Sequence, residues 1–181
     1  MIRTLILGIL LCVSVAAQEG QRYKGIYLFQ EGKYAEAAEA LRNVPETEKE
    51  LSETWVYLVF SYFKLDNELA AREALATYQN IKITSPVRPT KSYDTAPKIK
   101  STPRATYTDE AKRARVEGSV LLWVELQADG KIGSIFVKKS LPNGLSESAL
   151  KAAQQIRFEP AIRNGKPVTV VFVFSYDFMP L

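Results

Sequence analysis

Three stretches of the chain alternate apolar and polar residues with period two, and the stretches around them carry helical spacing. Residues 119–127 (SVLLWVELQ) and 131–139 (KIGSIFVKK) flank Asp129-Gly130, a pair that supplies the positive φ of a tight type I′ turn. They are therefore expected to pair as an antiparallel hairpin. The period then changes. Leu145, Ala149, Ala152, Ala153 and Ile156 fall on one stripe of a helix of about three turns. Asn164-Gly165 turns the chain, Pro167 opens a strand where its missing N–H costs little, and alternation resumes from Val168 to Phe178. The order is strand, strand, helix, strand.

A second short helix is expected at Thr108-Asp109-Glu110-Ala111-Lys112-Arg113-Ala114, with Thr108 as its cap and acidic residues in its first turn. Ser146 is the expected cap of the longer helix. Both helices must bury their stripes on the same face of the sheet, which predicts an α+β domain: a three-stranded antiparallel sheet with two helices on one face. In the last strand Val168, Val170, Phe172, Phe174, Tyr176 and Phe178 share the face assigned to the core. Thr169, Val171, Val173, Ser175 and Asp177 share the other. Val171 and Val173 are expected near Leu121 and Trp123, an apolar patch that a second copy of the chain or the N-terminal domain could cover.

Residues 21–80 read as helical throughout. Ala37, Ala40 and Leu41 recur 34 positions later as Ala71, Ala74 and Leu75, and Gln21, Gly25, Leu28 and Gly32 fall opposite Trp55, Val59, Tyr62 and Asp66. The length and the small residues resemble tetratricopeptide repeats, so an all-α tetratricopeptide-like domain of four short helices is expected, with Ser52 capping the third helix and Asn67 or Asp66 the fourth. Two copies bury little continuous core, so a further domain or a partner should cap them. Trp55, Tyr57, Phe60, Tyr62 and Phe63 read as helix-packing core.

From Pro103 to Phe178 the landmarks fall in one order: Tyr107 and Ala111, Glu117-Gly118 with Val120, Asp129-Gly130, Val137 with Ser140, Leu145 with Ala149, Arg157-Phe158-Glu159-Pro160-Ala161, and Asn164-Gly165-Lys166-Pro167-Val168 before Phe178. This set resembles the C-terminal domain of TonB, the periplasmic arm of the bacterial energy transducer of outer-membrane transport. Thr108, Ser146 and the run Ser140-Leu141-Pro142-Asn143-Gly144 depart from the family pattern. The resemblance implies that the last strand lies at a sheet edge and receives a transporter's short peptide as one more strand. The implied partner-binding residues are Val168, Val170, Val171, Phe172, Val173, Phe174, Ser175 and Tyr176, with Arg163 and Lys166 beside them to favour an acidic partner. Arg157 is a further flanking cation.

The remaining chain narrows the reading. Residues 1–17 carry one Arg, an apolar run from Leu5 to Val13 and small residues at Val15 and Ala17, the layout of a signal peptide cleaved after Ala17, with an uncleaved inner-membrane anchor as the alternative. Cys12 lies inside it, so the exported chain has neither Cys nor His, and no metal, cofactor or His-based nucleophile is expected. Glu125 and Asp129 sit on a strand and a turn and need no catalytic role. The expected layout is a signal over 1–17, the repeat domain over 18–82, a Pro-rich linker over 83–103 with four of the nine prolines, and the TonB-like domain over 104–181. At about 3.1 Å per residue the linker reaches roughly 65 Å. The region 18–85 is near −3 in charge and 98–181 near +5, a mild overall balance that implies no nucleic-acid partner. These features predict a non-enzymatic periplasmic protein that binds envelope proteins. The alternative is a tetratricopeptide adaptor in an envelope assembly not coupled to transport.

Overall fold

The computed structural model describes residues 20–44, 52–80 and 92–179. The chain divides between Ser92 and Tyr93 into two compact units. The expected signal peptide, with Cys12, lies outside the described residues. No helix among the described residues is long and apolar enough to cross a membrane.

The N-terminal unit has four described helices: α1 over residues 20–30, α2 over Tyr34–Arg42, α3 over Ser52–Lys64 and α4 over Glu68–Asn80. The two helix turns are built alike, 34 residues apart. Gly32 N–H donates to Phe29 and Lys33 N–H to Leu28, while Asp66 N–H donates to Phe63 and Asn67 N–H to Tyr62. Both turns need a left-handed residue; Gly32 takes φ +77° and Asp66 takes φ +54°. Asp66 thus does the work of glycine in the second copy. Asn67 then caps α4, its Oδ1 accepting from Ala70 N at 3.1 Å.

Gly25 marks the closest approach of α1 and α2, since a Cβ there would lie 2.5 Å from Leu41 Cγ. Phe29 is the centre of the aromatic packing, with ring centroids 5.3 Å from Tyr34, 5.2 Å from Tyr57 and 6.5 Å from Phe60. Trp55, Tyr57 and Phe60 are buried as a packing core should be, but Phe63 is exposed.

The C-terminal unit contains β1 (Lys98–Ser101), α5 (Asp109–Arg113), β2 (Gly118–Leu126), β3 (Ile132–Lys139), α6 (Leu145–Ala153), β4 (Arg157–Glu159), β5 (Ala161–Arg163), β6 (Lys166–Val168) and β7 (Val170–Phe178). Its main sheet has the antiparallel order β3-β2-β7, and β1-β4 and β5-β6 form two smaller pairs. Ala111 of α5 and Leu145, Ala149, Ala152 and Ala153 of α6 pack with Val120, Leu122, Val124, Leu126, Val170, Tyr176 and Phe178 in one core. The helical stripe and the strand alternation therefore meet on the predicted faces.

Several local expectations change. Residues 98–101, read as linker, form β1 because β4 stands beside them: Ile99 pairs with Phe158, and Lys100 Nζ lies 2.5 Å from Glu159 Oε1. Val168 to Phe178 is two strands, broken at Thr169, whose hydroxyl accepts from Ala128 N at 3.2 Å. Pro167 therefore sits within β6, not at the start of the long strand. The Asp129-Gly130 turn is not type I′: Gly130 alone is left-handed, Gly130 N–H donates to Gln127 O, and Gln127 N–H donates to Lys131 O. Asp129 serves from its side chain, accepting from Lys131 N at 3.0 Å. The Asn164-Gly165 turn between β5 and β6 has positive φ at both residues.

Thr108 caps α5 as expected. Its Oγ1 accepts from Ala111 N at 3.1 Å and donates to Asn143 O at 2.6 Å, tying the helix start to the loop before α6. Ser146 is not a cap. Gly144 occupies that position at φ +77°, and Ser146 lies inside α6 with its hydroxyl bonded to both backbone groups of Leu141. Thr108→Ala should lower unfolding free energy by about 1–2 kcal/mol in urea titrations, and Thr108→Ser should restore most of it. An alanine variant as stable as the parent would show that the double tie is dispensable.

Candidate functional site

The ladder between β2 and β7 runs without interruption from Gly118 opposite Phe178 to Leu126 opposite Val170. On its other flank β7 has no strand neighbour among the described residues. Among the described strands it is therefore the last of its sheet, nine residues long.

The sequence-predicted residues divide by what they present. Val170 and Tyr176 are buried in the core, and Phe172 and Phe174 lean on it half-exposed. Val173, 54% exposed, and Ser175 point to the opposite face, with half-buried Val171 beside them. Val168 belongs to β6, where it pairs with Ala161, and is buried. Arg163 and Lys166 face each other across the β5-β6 hairpin, directly before β7. The predicted cations therefore stand together at one end of the edge strand, while Arg157 lies apart in β4.

The sheet face opposite the helices is less open than its sequence suggested. Val173 does oppose Trp123, and Ser175 opposes Leu121, but Trp123 and Glu125 are each only 1% exposed. Glu125 sits where two residues of β3, Gly133 and Ser134, oppose one of β2, and its Oε2 accepts from Ser134 N at 2.9 Å. A Cβ at Gly133 would lie within van der Waals overlap of that carboxylate, so the bulge and the buried acid need glycine there. Sequence reasoning read Glu125 as an ordinary strand residue. The Gly133-Ser134 pair within an alternating strand was the available signal for a bulge.

At the far end of β7, Asp177 accepts from Ser119 Oγ at 2.5 Å and from Ser175 Oγ at 2.9 Å. These two hydroxyls hold its carboxyl below its ordinary value, while burial pushes the Tyr176 phenol up. Sequence reasoning also missed Tyr93, Asp94 and Thr95, which bind the unit from outside its expected boundary. Thr95 forms an antiparallel bridge to Ile162, and Asp94 Oδ2 accepts from Asn164 N at 2.6 Å. Among the described residues no cluster of His, Cys, Asp or Glu is placed to hold a metal ion.

The N-terminal unit has a concave feature of its own, a groove of about 170 Å³ lined by Leu41, Arg42, Trp55, Leu58, Tyr62 and Glu73. Thr54 also lines it, and the Thr54 hydroxyl is buried without a hydrogen-bond partner.

The C-terminal unit is thus a two-layer α+β domain whose main sheet ends, among its described residues, at β7. Residues 103–180 match the family model described as Gram-negative bacterial TonB protein C-terminal, over the span where the motifs carry the resemblance. The chain is also similar to the solution NMR structure of the Pseudomonas aeruginosa TonB CTD, at 25% identity and a TM-score of 0.37, covering 47% of this chain and 89% of that one. No curated protein matches the chain.

Ser119, Ser175 and Asp177 make a testable acid dependence. A carboxyl held low in the folded state contributes stability above its unfolded value, and loses that contribution as pH falls through the folded one. Asp177→Asn should therefore be less stable than the parent at neutral pH, and the gap should close below the ordinary value of 3.8. Urea midpoints measured from pH 7 to pH 2 check this; a gap that stays constant would exclude the carboxylate as its source.

Proposed function

We propose that this chain is a non-enzymatic binding protein of the bacterial envelope, exported to the periplasm, whose C-terminal unit captures an extended segment of another envelope protein as a strand added to β7. Its place is in TonB-like, energy-dependent transport across the outer membrane, with peptides of outer-membrane transporters as the partners. The observation that carries the reading is the end of the sheet order at β7. A row of strand-edge N–H and C=O groups gives affinity without any special side chain, and pockets for alternate side chains give choice of partner. Arg163 and Lys166 stand at the start of this edge and favour an acidic segment. Residues Val170 to Tyr176 supply the ledge, Val170 and Tyr176 by backbone and the rest by side chain as well.

A second reading has support of its own. The groove over α3, with its unsatisfied Thr54 hydroxyl, gives the helical unit a separate place to hold a partner, which suits an adaptor in an envelope assembly not coupled to transport. Capture by each unit alone separates the two readings.

The test is to titrate the full chain with synthetic peptides tiled from periplasm-facing ends of outer-membrane transporters and to map amide protection. Protection at alternate residues of β7 is the expected outcome, since only every second residue points its amide away from β2. The double variant Arg163→Glu, Lys166→Glu should weaken an acidic peptide about two- to fivefold. Protection confined to α1–α4 would move the site to the helical unit.

A further inference from the structure

Three residues at the start of the C-terminal unit hold on to it in three different ways. Asp94 and Thr95 N–H both donate to Ile162 O, at 2.7 and 3.0 Å, and Ile162 N–H returns a bond to Thr95 O at 2.9 Å. The Asp94 carboxylate accepts from Asn164 N in the left-handed turn of the β5-β6 hairpin. Tyr93 lays its ring against Phe172 of β7, centroids 6.4 Å apart and planes tilted by 34°. Tyr93 is half-buried and packs on the edge of the core.

The main chain of this segment is bridged to β5, and among the described strands β7 has β2 as its neighbour. Its side chain nevertheless reaches β7. On the β2 side Phe172 already has its cross-strand neighbour, Val124. A strand added on the other side would set a residue opposite Phe172, with Cβ atoms about 4.5–5.5 Å apart. An aromatic residue there would hold its ring about 4.5–7 Å from that of Phe172. Tyr93 sits within that range.

We propose that Tyr93 is an internal competitor for the β7 edge: it fills, within the chain, the place beside Phe172 that an apolar or aromatic side chain of an incoming strand takes. The inference rests on strand addition at β7 and adds two things to it. The partner carries an aromatic or large apolar residue in register with Phe172, and its binding displaces the Tyr93 ring. Displacement is local, because the bonds of Asp94 and Thr95 to Ile162 and Asn164 do not involve β7 and can persist when the ring leaves.

The experiment compares the full chain with its Tyr93→Ala and Tyr93→Phe variants, using as probe ten-residue peptides from periplasm-facing transporter ends, each in a form with Phe at its centre and a form with Ser there. Tyr93→Ala should bind the Phe peptide about two- to tenfold tighter, the worth of one aromatic pair, and Tyr93→Phe should bind like the parent. Without peptide, amide exchange should quicken in residues 170–176 of Tyr93→Ala while β3 is unchanged. Equal or weaker binding by Tyr93→Ala, or no preference for the Phe peptide, overturns the competitor while leaving strand addition intact. If no peptide binds either protein, strand addition fails and the competitor falls with it.

Discussion

The structure of the C-terminal unit depends on one ladder, the nine residue pairs that join β2 to β7. It brings Gly118 against Phe178 and Leu126 against Val170, so the unit's first long strand is held by its last. Without it β2 and β3 would be an isolated hairpin, which is marginal in water. With it Val120, Leu122, Val124 and Leu126 line up beside Val170, Tyr176 and Phe178, and α5 and α6 have a face to cover. The same ladder makes β7 terminal in the sheet.

The loops serve this arrangement by fixing where each element starts. Thr108 binds the start of α5 to Asn143, and Gly144 directly afterwards opens α6. Tyr107 reaches Val116 O through its hydroxyl at 2.5 Å and sets its ring 5.8 Å from that of Phe178. Two landmarks that looked unrelated in the sequence therefore meet at the same end of the sheet. The N-terminal unit uses a different economy, in which one turn design is repeated after 34 residues with Gly32 in one copy and Asp66 in the other.

What could be read from the sequence was what nearest neighbours determine. Thr108 before Asp109-Glu110 and Asn164-Gly165 act through residues a few positions away, and each forms as read; the alternation read from Val168 to Phe178 also gives strand, but broken at Thr169. The misses are interactions at long range. Lys98–Ser101 carries little strand signal of its own and becomes a strand only against Arg157–Glu159, some 60 residues later. The tie of Asp94 to Asn164 is equally distant. Ser146 was a sound cap by residue type, but Leu141 offers it both a donor and an acceptor, and the hydroxyl goes there. The edge position of β7 was legible only through resemblance, since alternation within one strand says nothing of how many neighbours it has.

Glu125 draws a last consequence from the bulge. Side chains on a strand alternate faces, so slipping β2 by one residue would carry this carboxylate into the layer between sheet and helices, the core that Leu145 and Ala149 help to fill. Burying an unpaired charge there is far costlier than misplacing a methyl group. The acid thus works like the bit of a key: it penalises a one-residue slip away from the threading in which Ser134 meets it. A sheet whose last described strand has one strand neighbour has reason to keep its own strands from sliding.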